Sequence, residues 1–332
     1  MQTFTAQQAA ELAVVTRGDF IESRHVGSLV VLASDGSTAL SLGTPEALIY
    51  ARSALKPLQA IASMNAGAEL QGAQIALAAG SHTGSFEHMK VAQSVLAEAG
   101  LTADALLCPP AWPADEPSYH ALVRAGHDKQ RLAFNCSGKH AAFLWGCVKS
   151  GWSTDNYTDP YHPLQELVLQ TIEEFTGEAP QHVTVDGCGA PVAATSLVGL
   201  ARAYSTLGSA VENITADARA ATVATAMVDY PEYVHAPGGS DTVLAETLDA
   251  VVKRGAEGVL AIGLRSGTSV ALKMLDGSNR AASLVAVRAL QAAGFLEGGV
   301  ADRAVAATTF PITGGGQPVG SIELGAAFEG IL

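Results

Sequence analysis

Arg52-Ser53-Ala54-Leu55-Lys56-Pro57 is the stretch around which this chain reads. Ser53 and Lys56 are three residues apart, so a helix beginning at Ser53 stacks their side chains on one face and sets a hydroxyl beside an amine. Serine alone is a poor nucleophile at neutral pH. A lysine that is partly desolvated and close to another cation, such as Arg52, can be neutral and take the hydroxyl proton. Pro57 falls in the first turn of that helix, where a missing N–H costs little. The same four residues also describe a helix cap followed by a solvated lysine, so the motif needs company from the rest of the chain.

Upstream, Val26 and the run Leu29, Val30, Val31, Leu32 form the first clear strand signal. Asp35-Gly36 is a hairpin turn signal, and residues 38–42 read as the returning strand. Downstream, Leu55, Leu58, Ile61, Ala62 and Met64 predict a buried helix from 53 to about 66. Next comes Ala79-Gly80-Ser81-His82-Thr83-Gly84-Ser85, a small polar loop in which a backbone can approach a ligand closely. That makes Ser81 a candidate site residue; the plainer reading is that it starts a turn. Ser85 can cap a helix from 86 to about 99. Pro109, Pro110 and Pro113 make 108–116 a rigid connector.

Two further dense motifs follow. In Asn135-Cys136-Ser137-Gly138-Lys139-His140 a cysteine and a lysine sit three apart at a helix start that leads into the apolar run 141–148. In Asp186-Gly187-Cys188-Gly189-Ala190-Pro191 glycines on both sides of Cys188 suggest a constrained backbone. Between about 160 and 250 the pattern is mainly helical, for instance 164–175 and 190–207. Strands return at 258–264 and 269–275 around a Ser266-Gly267 turn, then a helix at 279–293 and a last strand at 320–328. Lys253-Arg254 sits at the start of the first C-terminal strand, where the two cations point to opposite faces and one can enter a cleft. Taken alone, the plainer reading is a charged strand edge.

Strands at both ends with helices between them imply that the two ends meet in one sheet, since a lone hairpin is rarely stable. The fold class is α+β: a mostly antiparallel sheet from about 10–52 and 250–332, packed beside a helical middle of about 53–250. The expectation is a single domain over residues 1–332.

Composition narrows the function. With 332 residues, 48% hydrophobic, the chain can bury a large core, and its net charge of −13 opposes nucleic acid and anionic lipid, which need a positive footprint. Small-molecule chemistry is the default. The first residues carry no basic and apolar leader pattern and no segment reaches membrane-spanning length, so the simplest expectation is a cytoplasmic protein. Four cysteines, Cys108, Cys136, Cys147 and Cys188, make no disulfide framework; they are thiols or, in part, metal ligands.

Together, Glu22-Ser23-Arg24-His25, Arg52 to Ala60, Ser81-His82-Thr83-Gly84, Asn135 to His140, Asp186 to Pro191 and Gly255-Ala256-Glu257-Gly258 resemble the thermolabile type II asparaginase family, the rhizobial-type enzymes. The motifs run in family order, which is far more specific than any one of them. The resemblance implies a fold like serine β-lactamases and glutaminases, and two Ser-Lys pairs facing one pocket: Ser53 with Lys56, and Ser81 with Lys253. It also implies a zinc ion held by Cys136, Lys139 and Cys188, and a homodimer. Spacing alone does not indicate the metal, and a lysine binds zinc only after losing its proton. Arg254 stands where the β-lactamase analogy has a neutral residue; it is harmless if the strand alternates.

The activity so implied is hydrolysis of the side-chain amide of L-asparagine to L-aspartate and ammonia through an acyl-enzyme on Ser53 or Ser81, with Ser53 favoured. Arg52 is a partner for the substrate α-carboxylate and Asp186 for its ammonium, and His140 can bridge substrate and metal; local hydrogen bonding is the alternative for each. Glutamine differs from asparagine by one methylene, worth only about 1–3 kcal/mol, so a glutaminase or other small-amide hydrolase is the nearest rival. A non-catalytic zinc- or amino-acid-binding protein is the rival from another class.

Overall fold

A computed structural model describes residues 2–213 and 215–332. In chain order the strands are β1 (Ala10–Arg17), β2 (Phe20–Leu32), β3 (Thr38–Leu42), β4 (Leu48–Tyr50), β5 (Gln181–Val185), β6 (Pro191–Ser196), β7 (Ala250–Gly255), β8 (Val259–Leu264), β9 (Ser269–Met274), β10 (Ile312–Gly314), β11 (Gln317–Gly320) and β12 (Ile322–Leu324). The helices are α1 (Lys56–Asn65), α2 (Ala73–Ala78), α3 (Phe86–Glu98), α4 (Glu116–Arg124), α5 (Ser137–Ser150), α6 (Pro163–Thr176), α7 (Leu197–Ala210), α8 (Ala218–Asp229), α9 (Pro231–Val234), α10 (Ser240–Leu248), α11 (Ala282–Ala292) and α12 (Gly298–Thr308). None among the described residues is long and apolar enough to cross a membrane. The chain groups into two compact units: the first is Met1–Ala54, Ala194–Asn213 and Val243–Leu332, the second Leu55–Ala193 and Ile214–Thr242.

The first unit is built on an antiparallel sheet in the order β12-β1-β2-β9-β8-β7, with β3 also on β2. Both chain ends do supply its strands. The hairpin over Asp35-Gly36 forms as the turn residues dictate, pairing Leu29↔Leu42 through Leu32↔Thr38. The turn at Ser266-Gly267 likewise joins β8 to β9. Every residue of β8 is buried, because α7 covers one face and α11 the other. Leu29, Val31, Val252, Leu260, Ile262, Val270 and Leu272 pack with α11 residues Val285, Ala286, Ala289 and Leu290 in a single apolar cluster. A sheet covered on both faces reads as continuous β-branched runs instead of alternation, which is why the runs and not a period of two revealed it.

Several boundaries differ from the sequence reading. Residues 190–207 are not one helix: Pro191–Ser196 is strand β6, and Ser196 then caps α7 by accepting from the Gly199 N–H at 2.9 Å. Alanine and valine at 192–194 leave the choice to context, and β4 settles it by pairing Leu48↔Ser196 to Tyr50↔Ala194. Lys253 does not start the strand at 258–264; it lies in β7, the strand before it, opposite Ala261. The last strand is shorter than 320–328, since the chain turns again at Ala326–Phe328.

The second unit is largely helical. Here Ser85 caps α3 as its position predicts, in a reciprocal box with His88, and the apolar run after Lys139 becomes the buried helix α5. The helix expected from Ser53 instead begins at Lys56. Residues Arg52–Leu55 form a 3-10 turn, with Arg52 held at φ +53°, a left-handed conformation that costs a non-glycine residue on the order of 1–2 kcal/mol.

In the first unit α7 lies almost against the sheet: a Cβ on Gly263 would come within 2.0 Å of the Tyr204 carbonyl oxygen, and one on Gly208 within 2.4 Å of the Leu264 carbonyl oxygen. Backbone cannot yield as a side chain can. Gly263→Ala should therefore destabilise the protein by about 1–3 kcal/mol or more, read as a lower midpoint in urea denaturation.

Candidate active site

In the second unit the amine of Lys56 is held from three sides. Lys56 is 1% exposed, and its Nζ donates to the Gly80 carbonyl, to Ser81 Oγ at 3.0 Å and to the Asn135 carbonyl at 3.3 Å. Within this unit the hydroxyl that the amine meets is that of Ser81. The reason is local: the 3-10 turn ends at Leu55, and α1 then carries the lysine stem toward the 80–81 loop. Three acceptors match the three N–H groups of an ammonium. They equally match a neutral amine whose two N–H groups stay on the carbonyls while its lone pair receives the Ser81 proton.

His82 fixes the loop that carries Ser81. Its Nδ1 accepts from the Gly84 N–H at 3.1 Å, so the ring proton is on Nε2, which donates to Ser137 Oγ at 3.0 Å; Ser137 in turn donates to the Leu132 carbonyl at 2.8 Å. Burial, with His88 and Lys56 adding to it, holds the His82 imidazole well below its usual value, so it is neutral. His82 stands inside a motif already singled out, yet only the fold shows that it ties the Ser81 loop to the start of α5.

Beside this lies a cluster of two thiols, an amine and an imidazole. Cys136, Lys139, His140 and Cys188 are all buried, and Lys139 Nζ lies 3.1 Å from Cys188 Sγ. A hydrogen bond from Cys188 holds the Cys136 thiol well below the usual range, helped against burial by Lys56 and Lys139, while the same bond pushes Cys188 up. Burial pulls the Lys139 amine down, but the Cys188 and Cys136 sulfurs outweigh it and hold it up. Burial lowers His140 to about 4, with Cys188 opposing and Lys139 and Lys56 assisting. His140 Nε2 is buried with no oxygen or nitrogen partner, and the Cys188 sulfur is the ring's other hydrogen-bonding neighbour.

Among the described residues, no group of three or more His, Cys, Asp or Glu side chains is arranged to hold a metal. The set here is two sulfurs and a nitrogen, a donor set suited to a soft or borderline ion such as zinc. All four cysteines are buried and outside any disulfide, as their spacing implied. Asp186 begins the turn that carries Cys188: its Oδ1 accepts from the Gly187 N–H at 2.8 Å and its carbonyl from the Gly189 N–H at 2.9 Å. It also faces the Lys139 charge. Tyr157, which sequence reasoning missed, bonds His140 from a polar loop with no recognisable motif.

In the first unit the expected residues are Arg52, Ser53 and Lys253. Gly255 lets β7 approach the turn that bears the first two: a Cβ there would sit 2.5 Å from the Ala51 carbonyl oxygen. Lys253, two residues earlier, is on the same strand face. It is 1% exposed and donates to the Arg254 carbonyl at 2.8 Å, whereas Arg254 is only half-buried. The alternation expected of the two cations therefore holds. Tyr204, fully buried, donates to the Ala54 carbonyl at 2.8 Å and anchors the same turn.

The model of the family described as L-asparaginase II matches residues 13–324. No curated protein matches the chain. Among solved structures, a protein of Bacteroides dorei DSM 17855 described as a candidate β-lactamase is similar at 15% identity, over 75% of this chain and 84% of that one, with a TM-score of 0.42. A β-lactamase of Mycobacterium bovis is similar at 13% identity, over 86% of this chain and 95% of that one, with a TM-score of 0.43.

Because His82 resists protonation in the fold but takes a proton near pH 6.5 when unfolded, the unfolded chain binds the extra proton in acid. Stability contributed by the neutral ring is complete above that value. It should fall as pH drops below about 6.5, by up to about 1.4 kcal/mol per pH unit, until the folded ring also protonates. Denaturation midpoints measured from pH 7.5 to 5 should show this slope added to those of the other lowered imidazoles, His140 and His88, and His82→Gln should reduce the total by its share.

Proposed function

Since the chain belongs to the L-asparaginase II family, we propose that it hydrolyses the side-chain amide of L-asparagine to L-aspartate and ammonia through a serine ester. The observation that carries this reading is the family match across nearly the whole chain, with the buried Lys56–Ser81 contact supplying a base and a hydroxyl. In this reading the neutral Lys56 amine takes the Ser81 proton as Oγ attacks the amide carbon. The resulting ammonium returns that proton to the leaving nitrogen as the C–N bond breaks, releasing ammonia. Water then attacks the ester, giving a proton to Lys56, and Ser81 regains it when the C–O bond opens. Two carbonyl acceptors, on Gly80 and Asn135, hold the amine in place through both half-reactions. The N–H groups at the start of α1, which has no side-chain cap, are proposed donors to the oxyanion.

The remaining roles rest on the resemblance. The resemblance pairs Ser53 with Lys56 and Ser81 with Lys253, so Ser53 and Lys253 stay in the proposed site; Arg52 receives the α-carboxylate, and Asp186 the α-ammonium. Zinc would be held by Cys136, Lys139 and Cys188, with Lys139 losing its proton on binding. Bound there, the ion supplies a Lewis acid that orients a carboxylate or carbonyl oxygen. The buried sulfurs and the amine that contacts one of them support this donor set. A cytoplasmic homodimer belongs to the same proposal and is supported by the resemblance alone.

Ammonia release from L-asparagine and, in parallel, from L-glutamine tests the reading. Release from asparagine is the expected result; silence with both substrates in folded, zinc-loaded protein would sink it. Ser81→Ala and Lys56→Met should each lower kcat by at least about 100-fold. A Ser81→Ala enzyme with near-normal turnover, beside an inactive Ser53→Ala, would move the nucleophile to Ser53. Dialysis against a chelator should remove about one zinc per chain and lower the thermal midpoint, since a ligand bound only to the folded state stabilises it.

A further inference from the structure

Tyr157 is fully buried and takes no part in the chemistry above. Its hydroxyl oxygen lies 2.8 Å from the Leu107 amide nitrogen and 2.8 Å from His140 Nδ1. An amide N–H can only donate, so the phenol oxygen accepts from Leu107 and its own proton is available for one acceptor. His140 Nδ1 is the acceptor within reach. Were Nδ1 the donor, the phenol proton would be left buried with no acceptor, the costly arrangement. The Tyr157 carbonyl accepts from buried Gln165 Nε2 at 2.7 Å, and its ring stands edge-on to the imidazole at 5.6 Å. The phenol is thus fixed at its backbone, ring and hydroxyl.

We propose that Tyr157 is a positioning residue that holds His140 as the tautomer protonated on Nε2, making His140 an N–H donor to an acceptor oxygen of the substrate and keeping it out of the metal's ligand set. His140 Nε2 is buried at the edge of the thiol and amine cluster with no oxygen or nitrogen partner, and only the Cys188 sulfur, a weak acceptor, offers the ring a second hydrogen bond. A donor that meets no better acceptor than a sulfur is open to a carboxylate or carbonyl oxygen. Binding a metal through Nε2 requires its lone pair, and so the opposite tautomer. Lying next to Lys139 therefore does not make His140 a ligand. That the oxygen belongs to asparagine rests on the amidohydrolase reading; the tautomer does not.

Nitrogen-15 spectra of the histidine-labelled full chain, with and without added zinc, test this. His140→Gln identifies the signal by its loss. The expected result is a protonated Nε2 and a bare Nδ1 in both states. An Nδ1-protonated ring, or an Nε2 signal shifted by direct zinc binding, overturns the proposal, and the wild-type chain alone decides this. Tyr157→Phe should introduce the second tautomer and raise KM for asparagine about tenfold while kcat changes less than about threefold. An altered tautomer with unchanged KM would overturn the substrate-donor role. Protonated Nε2 in a chain silent on asparagine would instead sink the asparaginase reading and leave Tyr157's hold on the ring standing.

Discussion

A buried lysine must find an acceptor for each of its N–H groups, and in the second unit that requirement sets the position of everything near Lys56. One carbonyl comes from Gly80, at the entrance to the loop that carries Ser81, and one from Asn135, at the entrance to α5. The two segments are 55 residues apart in sequence (80 and 135), yet the same amine ties both. Leaving a donor of this amine unpaired in a site this dry would cost more than a made bond contributes. Hence the hydroxyl of Ser81 is delivered to nitrogen as a by-product of satisfying the lysine.

The thiol cluster follows from the same anchoring. Once Asn135 is fixed, Cys136 closes the amino end of α5, and Lys139 and His140 fall one turn into a helix that is buried along most of its length. Cys188 arrives from a turn shaped by Asp186, whose side chain and carbonyl both accept from the glycines around the cysteine. Two sulfurs, an amine and an imidazole then share a small dry volume. Low dielectric makes each feel the others strongly, so Cys136 and Cys188 are pushed in opposite directions by one hydrogen bond.

In the first unit the governing constraint is steric. Gly263 and Gly208 bring α7 to the sheet, and Gly255 brings β7 to Ala51, in each case because a Cβ would strike a carbonyl oxygen. The turn at Arg52 and Ser53 is shaped by this packing and by the Tyr204 hydroxyl, with Arg52 in a conformation that a free peptide would avoid. Strain of this kind persists only where surrounding structure enforces it.

By itself the sequence determined the elements whose signals are local. Turn residues defined the hairpin over Asp35-Gly36, Ser85 defined the start of α3, and β-branched runs marked the central strands, because each depends on interactions a few residues long. It also supplied the candidate site residues, since the motifs are contiguous. Tertiary structure alone decided that the Ser81 hydroxyl meets Lys56, that 191–196 is strand, and that Tyr157 and His82 hold neighbouring residues of the candidate site. Those outcomes depend on contacts between segments far apart in the chain, and an amine on a long flexible stem reaches whichever acceptors the packing brings to it.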